Sequence, residues 1–195
     1  RGRVDRLSLW IGQLSTPGIS RRFVRIPPDF KHKPLIIEGD FEEISEHRRP
    51  PRKGEYVSIL DAALVESGLA LHFLRDLIPG QEITWSIIDG RRPQIHHSEP
   101  IIFDNNQEKM LVQATGRIVK LVHSELSLET ISHLVEASRD YGFGKLTLRV
   151  ALEPQLQPKL QGSLDRQLSS KGGEHVGFVA KQPRDSMLLL CLETQ

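Results

Sequence analysis

The stretch from Ser127 to Ala151 constrains the fold most, because it switches from a helical to a strand period within a few residues. Leu128, Ile131, Leu134 and Val135 recur at helical spacing and predict a buried stripe on a helix ending near Asp140. Ser127 is placed to cap its start. Glu129 in the first turn and Arg139 in the last suit the helix dipole. Gly142 then supplies a left-handed stop. From Lys145 to Ala151 the period becomes two, with Leu146, Leu148 and Val150 inward and Lys145, Thr147 and Arg149 outward. An amphipathic helix followed at once by a half-buried strand must pack on a sheet.

The rest of the chain supplies that sheet. Strands are expected at Arg3 to Leu14, Arg22 to Ile26, Pro34 to Ile44, Gln81 to Ile88, Ile101 to Phe103 and Lys109 to Val122, with Gly116 as a bulge or bend. Glu55 to Ile78 is rich in helix formers, with an interruption at Gly68. Taken in order, residues 34–151 spell β-α-β-β-α-β. The expectation is an α+β protein with a ferredoxin-like βαββαβ core, extra N-terminal strands and a C-terminal β-hairpin. It forms a single domain over 1–195, with the core at 34–151, N-terminal strands within 1–33 and a C-terminal extension at 152–195. Within that extension Leu156, Leu160, Leu164 and Leu168 predict a short amphipathic helix, and Val176 to Lys181 with Met187 to Glu193 a hairpin.

No apolar run approaches membrane-spanning length, and the start Arg1-Gly2-Arg3-Val4-Asp5 has no apolar signal region. The single cysteine, Cys191, sits in an apolar run and reads as inert packing, which fits a reducing compartment. The expectation is a cytoplasmic protein without a membrane partner. Charge is uneven: the chain is +1 overall, but residues 1–54 hold twelve Lys/Arg against seven Asp/Glu. A basic third of this kind favours an acidic partner such as nucleic acid.

Two segments carry candidate contacts. Arg139-Asp-Tyr141-Gly142-Phe143-Gly144-Lys145 joins the second helix to the last core strand. Its glycines let the backbone approach a phosphate, Tyr141 and Phe143 are suited to stack on unpaired bases, and Arg139 and Lys145 to hold phosphates. The structural alternative is that Gly142 ends the helix, Phe143 is core and Lys145 faces solvent. The second segment is Arg48-Arg49-Pro50-Pro51-Arg52-Lys53, with four cations in six residues. Its alternative is a solvated linker, with Glu42, Glu43 and Glu46 partly cancelling its field.

Gly142-Phe143-Gly144, lying between the second helix and the last strand of the βαββαβ order, resembles the glycine-rich loop of the RAMP superfamily. These are ferredoxin-like RNA-binding subunits and endoribonucleases of CRISPR systems. The resemblance implies an RNA-binding subunit of a larger assembly, with RNA and other protein subunits as partners.

Catalytic signals are sparse. His96-His97 is the one histidine pair suited to a metal-independent ribonuclease, and its alternative is a pair of surface loop histidines. Adjacent strand residues point to opposite faces, which argues against a shared metal ion. Glu38, Asp40, Glu42 and Glu43 form an acidic group without the lysine spacing of a metal-dependent nuclease. No phosphate-cradling, nucleophile-elbow or Cys-x-x-Cys motif is present. The reading is therefore a non-catalytic RNA or single-stranded nucleic-acid-binding subunit, with no cofactor or metal. A protein–protein assembly module, cellular or viral, is the alternative, pairing through its strand edges.

Overall fold

The computed structural model describes residues 16–27, 33–44, 49–88, 90–169, 173–182 and 187–194. The expected strand Arg3 to Leu14, and Arg48 of the basic loop, lie outside the described residues.

Two strands, β1 (Arg21–Arg25) and β2 (Leu35–Gly39), form their own antiparallel pair. The main sheet is built from β3 (Tyr56–Leu60), β4 (Thr84–Ile87), β5 (Gln94–His97), β6 (Val112–His123), β7 (Phe143–Leu148), β8 (His175–Gln182) and β9 (Met187–Glu193). Its order is β4-β5-β3-β6-β9-β8-β7, antiparallel throughout except for the parallel β7–β8 pair. The helices are α1 (Ala62–Glu66), α2 (Ala70–Leu77), the single turn α3 (Asn106–Lys109), α4 (Ile131–Arg139) and α5 (Leu156–Ser169).

The α+β class holds, but the main sheet does not follow the βαββαβ order. The expected first core strand, 34–44, contributes β2, which leaves the main sheet and pairs with β1. The expected helix 55–78 opens with β3, a central strand. Val57, Ile59 and Leu60 are β-branched or bulky and wholly buried there, so tertiary packing overrides the helix-forming residues that follow. Residues 152–195 are no appendage, since they supply α5 and two interior strands. Ile101 to Phe103 forms no strand.

Two apolar clusters pack helices onto the sheet. In one, α1 and α2 bury Leu64, Leu69 and Leu74 against Trp85 and Ile95, and Phe23, Leu35 and Ile37 of the small sheet pack against them. Arg25 pairs with the buried Asp61 carboxylate, which also caps α1 by accepting from the Ala63 amide at 2.9 Å. In the other, α4 and α5 bury Leu134, Leu160, Leu164 and Leu168 against Leu146, Leu148, Leu188 and Leu190. Helix α4 begins later than expected. Ser127 and Thr130 exchange backbone-to-hydroxyl bonds at 3.1 and 3.2 Å, forming a turn that leads into the helix at Ile131.

Strand β7 ends the sheet, and α5 closes its open edge with one side chain. Gln161 accepts from the Leu148 amide and donates to the Leu146 carbonyl, both at 2.8 Å. One carboxamide thus takes the two bonds that a neighbouring strand would make.

Candidate nucleic-acid interface

The structure brings the two basic segments together. Lys53 donates to the Tyr141 hydroxyl at 3.2 Å, across 88 residues of sequence. Its ammonium also lies 5.6 Å from the centre of the Tyr141 ring, and that of Lys120 lies 5.8 Å from it. Tyr141 is half-buried, with its ring against the α4–α5 cluster. Arg52 and Lys53 are exposed at the rim, and Arg117 donates to the Gly54 carbonyl at 3.2 Å.

Cross-strand register explains how β6 contributes. Arg117 stands opposite Leu192, whereas a register shift between Ile118 and Lys120 sets Lys120 opposite Leu190. Leu190 and Leu192 are two residues apart and share a face, so Arg117 and Lys120 share it too. Without the shift, their odd spacing would send them to opposite faces. Tyr56 stands opposite both Arg117 and His97, which adds its half-buried ring to the same row. Arg117, Lys120 and Tyr56 are the members that sequence patterning missed, because the bulge is a property of strand pairing.

Two carboxylates near this surface already have partners. Asp140 lies 3.6 Å from Lys120, an exposed pair of small energetic weight. Glu55 is committed to Arg49, which donates to both carboxylate oxygens at 2.6 and 2.8 Å, and to the Arg52 amide at 2.8 Å. Burial raises the Glu55 pKa, but the Arg49 and Arg52 hydrogen bonds outweigh it and hold the carboxyl below its usual range. Arg49 is thereby a structural clamp on its own loop rather than a free phosphate contact.

The glycine-rich loop divides its members. Phe143 is 1% exposed and turned into the α4–α5 cluster, so it is not available to stack on a base. Gly142 has φ +69° and follows α4, its amide donating to the Arg139 carbonyl at 2.9 Å. Gly144 sits in the register shift between Phe143 and Lys145, where a side chain would run into the Gly173 carbonyl. These two glycines serve close backbone packing. Arg139 is exposed, and its guanidinium donates at 2.6 Å to the Gln167 carbonyl in the last turn of α5. Lys145 is exposed on the opposite face of the sheet from Leu146 and Leu148, away from Tyr141.

The histidine pair is interior, not a surface loop. His96 and His97 are 0% and 2% exposed on β5. His97 shares Nδ1 with the Glu99 carbonyl at 2.6 Å and Nε2 with the Ser58 hydroxyl at 2.8 Å, and stacks on Tyr56. His96 Nε2 meets the Ser86 hydroxyl at 2.8 Å, while its Nδ1 has no partner. Burial lowers both pKa values, that of His96 to about 4. Two buried neutral imidazoles bonded to strand hydroxyls have no access to a substrate. His96 therefore stays neutral in the native state, whereas the unfolded chain gains a proton below about pH 6.5. Its contribution to stability is complete above that pH and falls by about 3 kcal/mol as the pH drops to 4. Urea midpoints across this range should fall more steeply for the native sequence than for His96→Asn, and parallel slopes would refute the assignment.

Three members of the acidic group have side-chain partners. Glu42 takes both guanidinium nitrogens of Arg75, whose hydrogen bonds lower its pKa, Glu38 pairs with Arg22 at 2.5 Å, and Asp40 accepts from Ser20 at 2.7 Å. Among the described residues, no three His, Cys, Asp or Glu side chains are placed to hold a metal ion. Among them, too, no helix is long and apolar enough to cross a membrane. Cys191 is fully buried and burial pushes its thiol up, as inert packing requires.

No family model matches the chain, and no curated protein matches it. Among solved structures, TrmN from Thermus thermophilus superposes with a TM-score of 0.37 at 15% identity, over 72% of this chain and 46% of that one. The chain thus spans less than half the length of that structure. A likeness at this level carries no argument, and function has to be argued from the residues themselves.

Proposed function

We propose that the chain is a non-catalytic binder of single-stranded RNA, gripping it across the surface formed by Lys53, Tyr56, Arg117, Lys120 and Tyr141. The convergence of Lys53 and Lys120 on the Tyr141 ring carries this reading. A single strand offers bases that stack on an aromatic ring and phosphates that need cations at the ring's margin. Two cations on one sheet face, Arg117 and Lys120, and Lys53 from the turn before β3 stand beside a half-buried tyrosine and match both demands. His96 and His97 are buried, which takes the histidine pair away from a bound strand.

Binding of labelled single-stranded RNA and DNA over a salt series tests this. The expected result is salt-sensitive binding with RNA preferred, weakened roughly 5- to 100-fold by Tyr141→Leu, the loss of one stacked base. Tyr141→Phe keeps the ring and should retain most of the affinity. Unchanged binding by a folded Tyr141→Leu protein would remove Tyr141 from the interface.

A further inference from the structure

A second group of cations stands at the β7 edge, and the Tyr141 surface does not use it. Arg91, Lys145 and Arg149 line a groove of about 630 Å³ between β7 and α5, together with Thr147, Gln157 and Gln161. This volume falls within the range of small-ligand sites. Lys145, Thr147 and Arg149 alternate with Leu146 and Leu148, so all three project from one side of the strand.

Three observations set the chemistry of an occupant. The Nε of Arg149 is buried and has no hydrogen-bond partner. Leaving a charged donor unmatched is costly, so the Arg149 guanidinium gains from any acceptor that reaches it. Arg92 stands close by, donating to the Gln113 side chain; burial first, then the charges of Arg149 and Arg91, push its pKa down. Arg91 and Arg92, from the β4–β5 connection, thus lie within reach of the Arg149 charge. The one carboxylate on the groove wall, Asp165, already accepts from Gln161 at 2.8 Å. Finally, Gln161 takes the Leu146 carbonyl and the Leu148 amide, so a peptide cannot add to β7 there as a further strand. What remains for an occupant is the three cations beside Thr147, Gln157, Pro154 and Pro158.

We propose that this groove is a phosphate-binding site, with Arg149, Lys145 and Arg91 as its cations. Guanidinium groups match phosphate oxygens with paired N–H donors, and Lys145 adds a point charge. The phosphate comes either from a free nucleotide or from the backbone of a nucleic acid. The inference does not depend on RNA stacking at Tyr141.

The test uses the full chain with its arginine Nε–H groups labelled for NMR. It is titrated separately with sodium pyrophosphate, AMP and a short single-stranded RNA. The Arg149 Nε–H signal is expected to move with millimolar pyrophosphate, and Arg149→Gln to weaken that binding at least about tenfold, the loss of one charge-assisted contact. Lys145→Gln, at an exposed position, gives the same direction without threatening the fold. Tyr141→Leu should leave pyrophosphate binding intact, which separates this site from the RNA surface. Movement with AMP alone identifies a nucleotide as the source, whereas displacement of pyrophosphate by RNA identifies the backbone. A stationary Arg149 signal, or affinity unchanged from the native chain in both groove variants, overturns the proposal.

Discussion

Phe143→Ala is expected to lower folding stability by about 3–5 kcal/mol, the usual cost of emptying a buried aromatic site. The ring is 1% exposed, packs among the α4–α5 cluster and meets His175 edge-on at 6.2 Å. It also fills the hollow above Gly177, where a side chain on that glycine would collide with the Phe143 ring. Strand β8 therefore cannot move in to close the cavity without losing its pairing with β9. Urea unfolding at neutral pH measures the effect, and a loss under about 1 kcal/mol would contradict this packing. Phe143→Leu should cost less and leave RNA affinity unchanged, because the ring has no route to a base.

The largest functional effect is expected from Lys53→Gln, Arg117→Gln and Lys120→Gln combined. Single-stranded nucleic acid releases counterions in proportion to the phosphates neutralised, with a slope near −0.7 per contact. Removing three contacts should flatten the plot of log affinity against log salt by about 2 and weaken low-salt binding on the order of a hundredfold. Stability should change little, since these cations make only rim contacts such as the Arg117 bond to Gly54 and the Lys120 pair with Asp140. An unchanged salt slope in the folded triple variant would show that RNA, if bound, is held elsewhere. Arg49 is left out of the variant because it is tied to Glu55.

How much of this was legible in the sequence depends on whether a pattern is local. The α4–β7 unit was, because its apolar spacing, Gly142 stop and alternating strand all lie within a short window. The leucine repeat of α5 and the β8–β9 hairpin were legible for the same reason. Strand β5 was not. Gln94, Ile95, His96 and His97 resemble a polar loop, yet all four are buried. Ser58 and Ser86, on neighbouring strands, bond to His97 Nε2, His96 Nε2 and the Gln94 carboxamide, and sequence spacing cannot identify such partners. The shared orientation of Arg117 and Lys120, and the opposite fates of Phe143 and Lys145, arise from two register shifts. A bulge reverses side-chain alternation without leaving a clear mark in composition. The basic loop was visible as a charge run, but its meeting with Tyr141 depends on the order of strands in the sheet.

The position of β9 has a consequence for synthesis. It alone joins β6 to β8, so it holds β4, β5, β3 and β6 to β8 and β7 within one sheet. A nascent chain that has emerged only as far as β8 therefore presents two half-sheets, each with an open hydrogen-bonding edge at the place the next strand will fill. Such edges invite wrong pairing between chains on neighbouring ribosomes. Closure must wait until Glu193 has cleared the exit tunnel, so a stall or premature stop shortly before Met187 would leave both edges open.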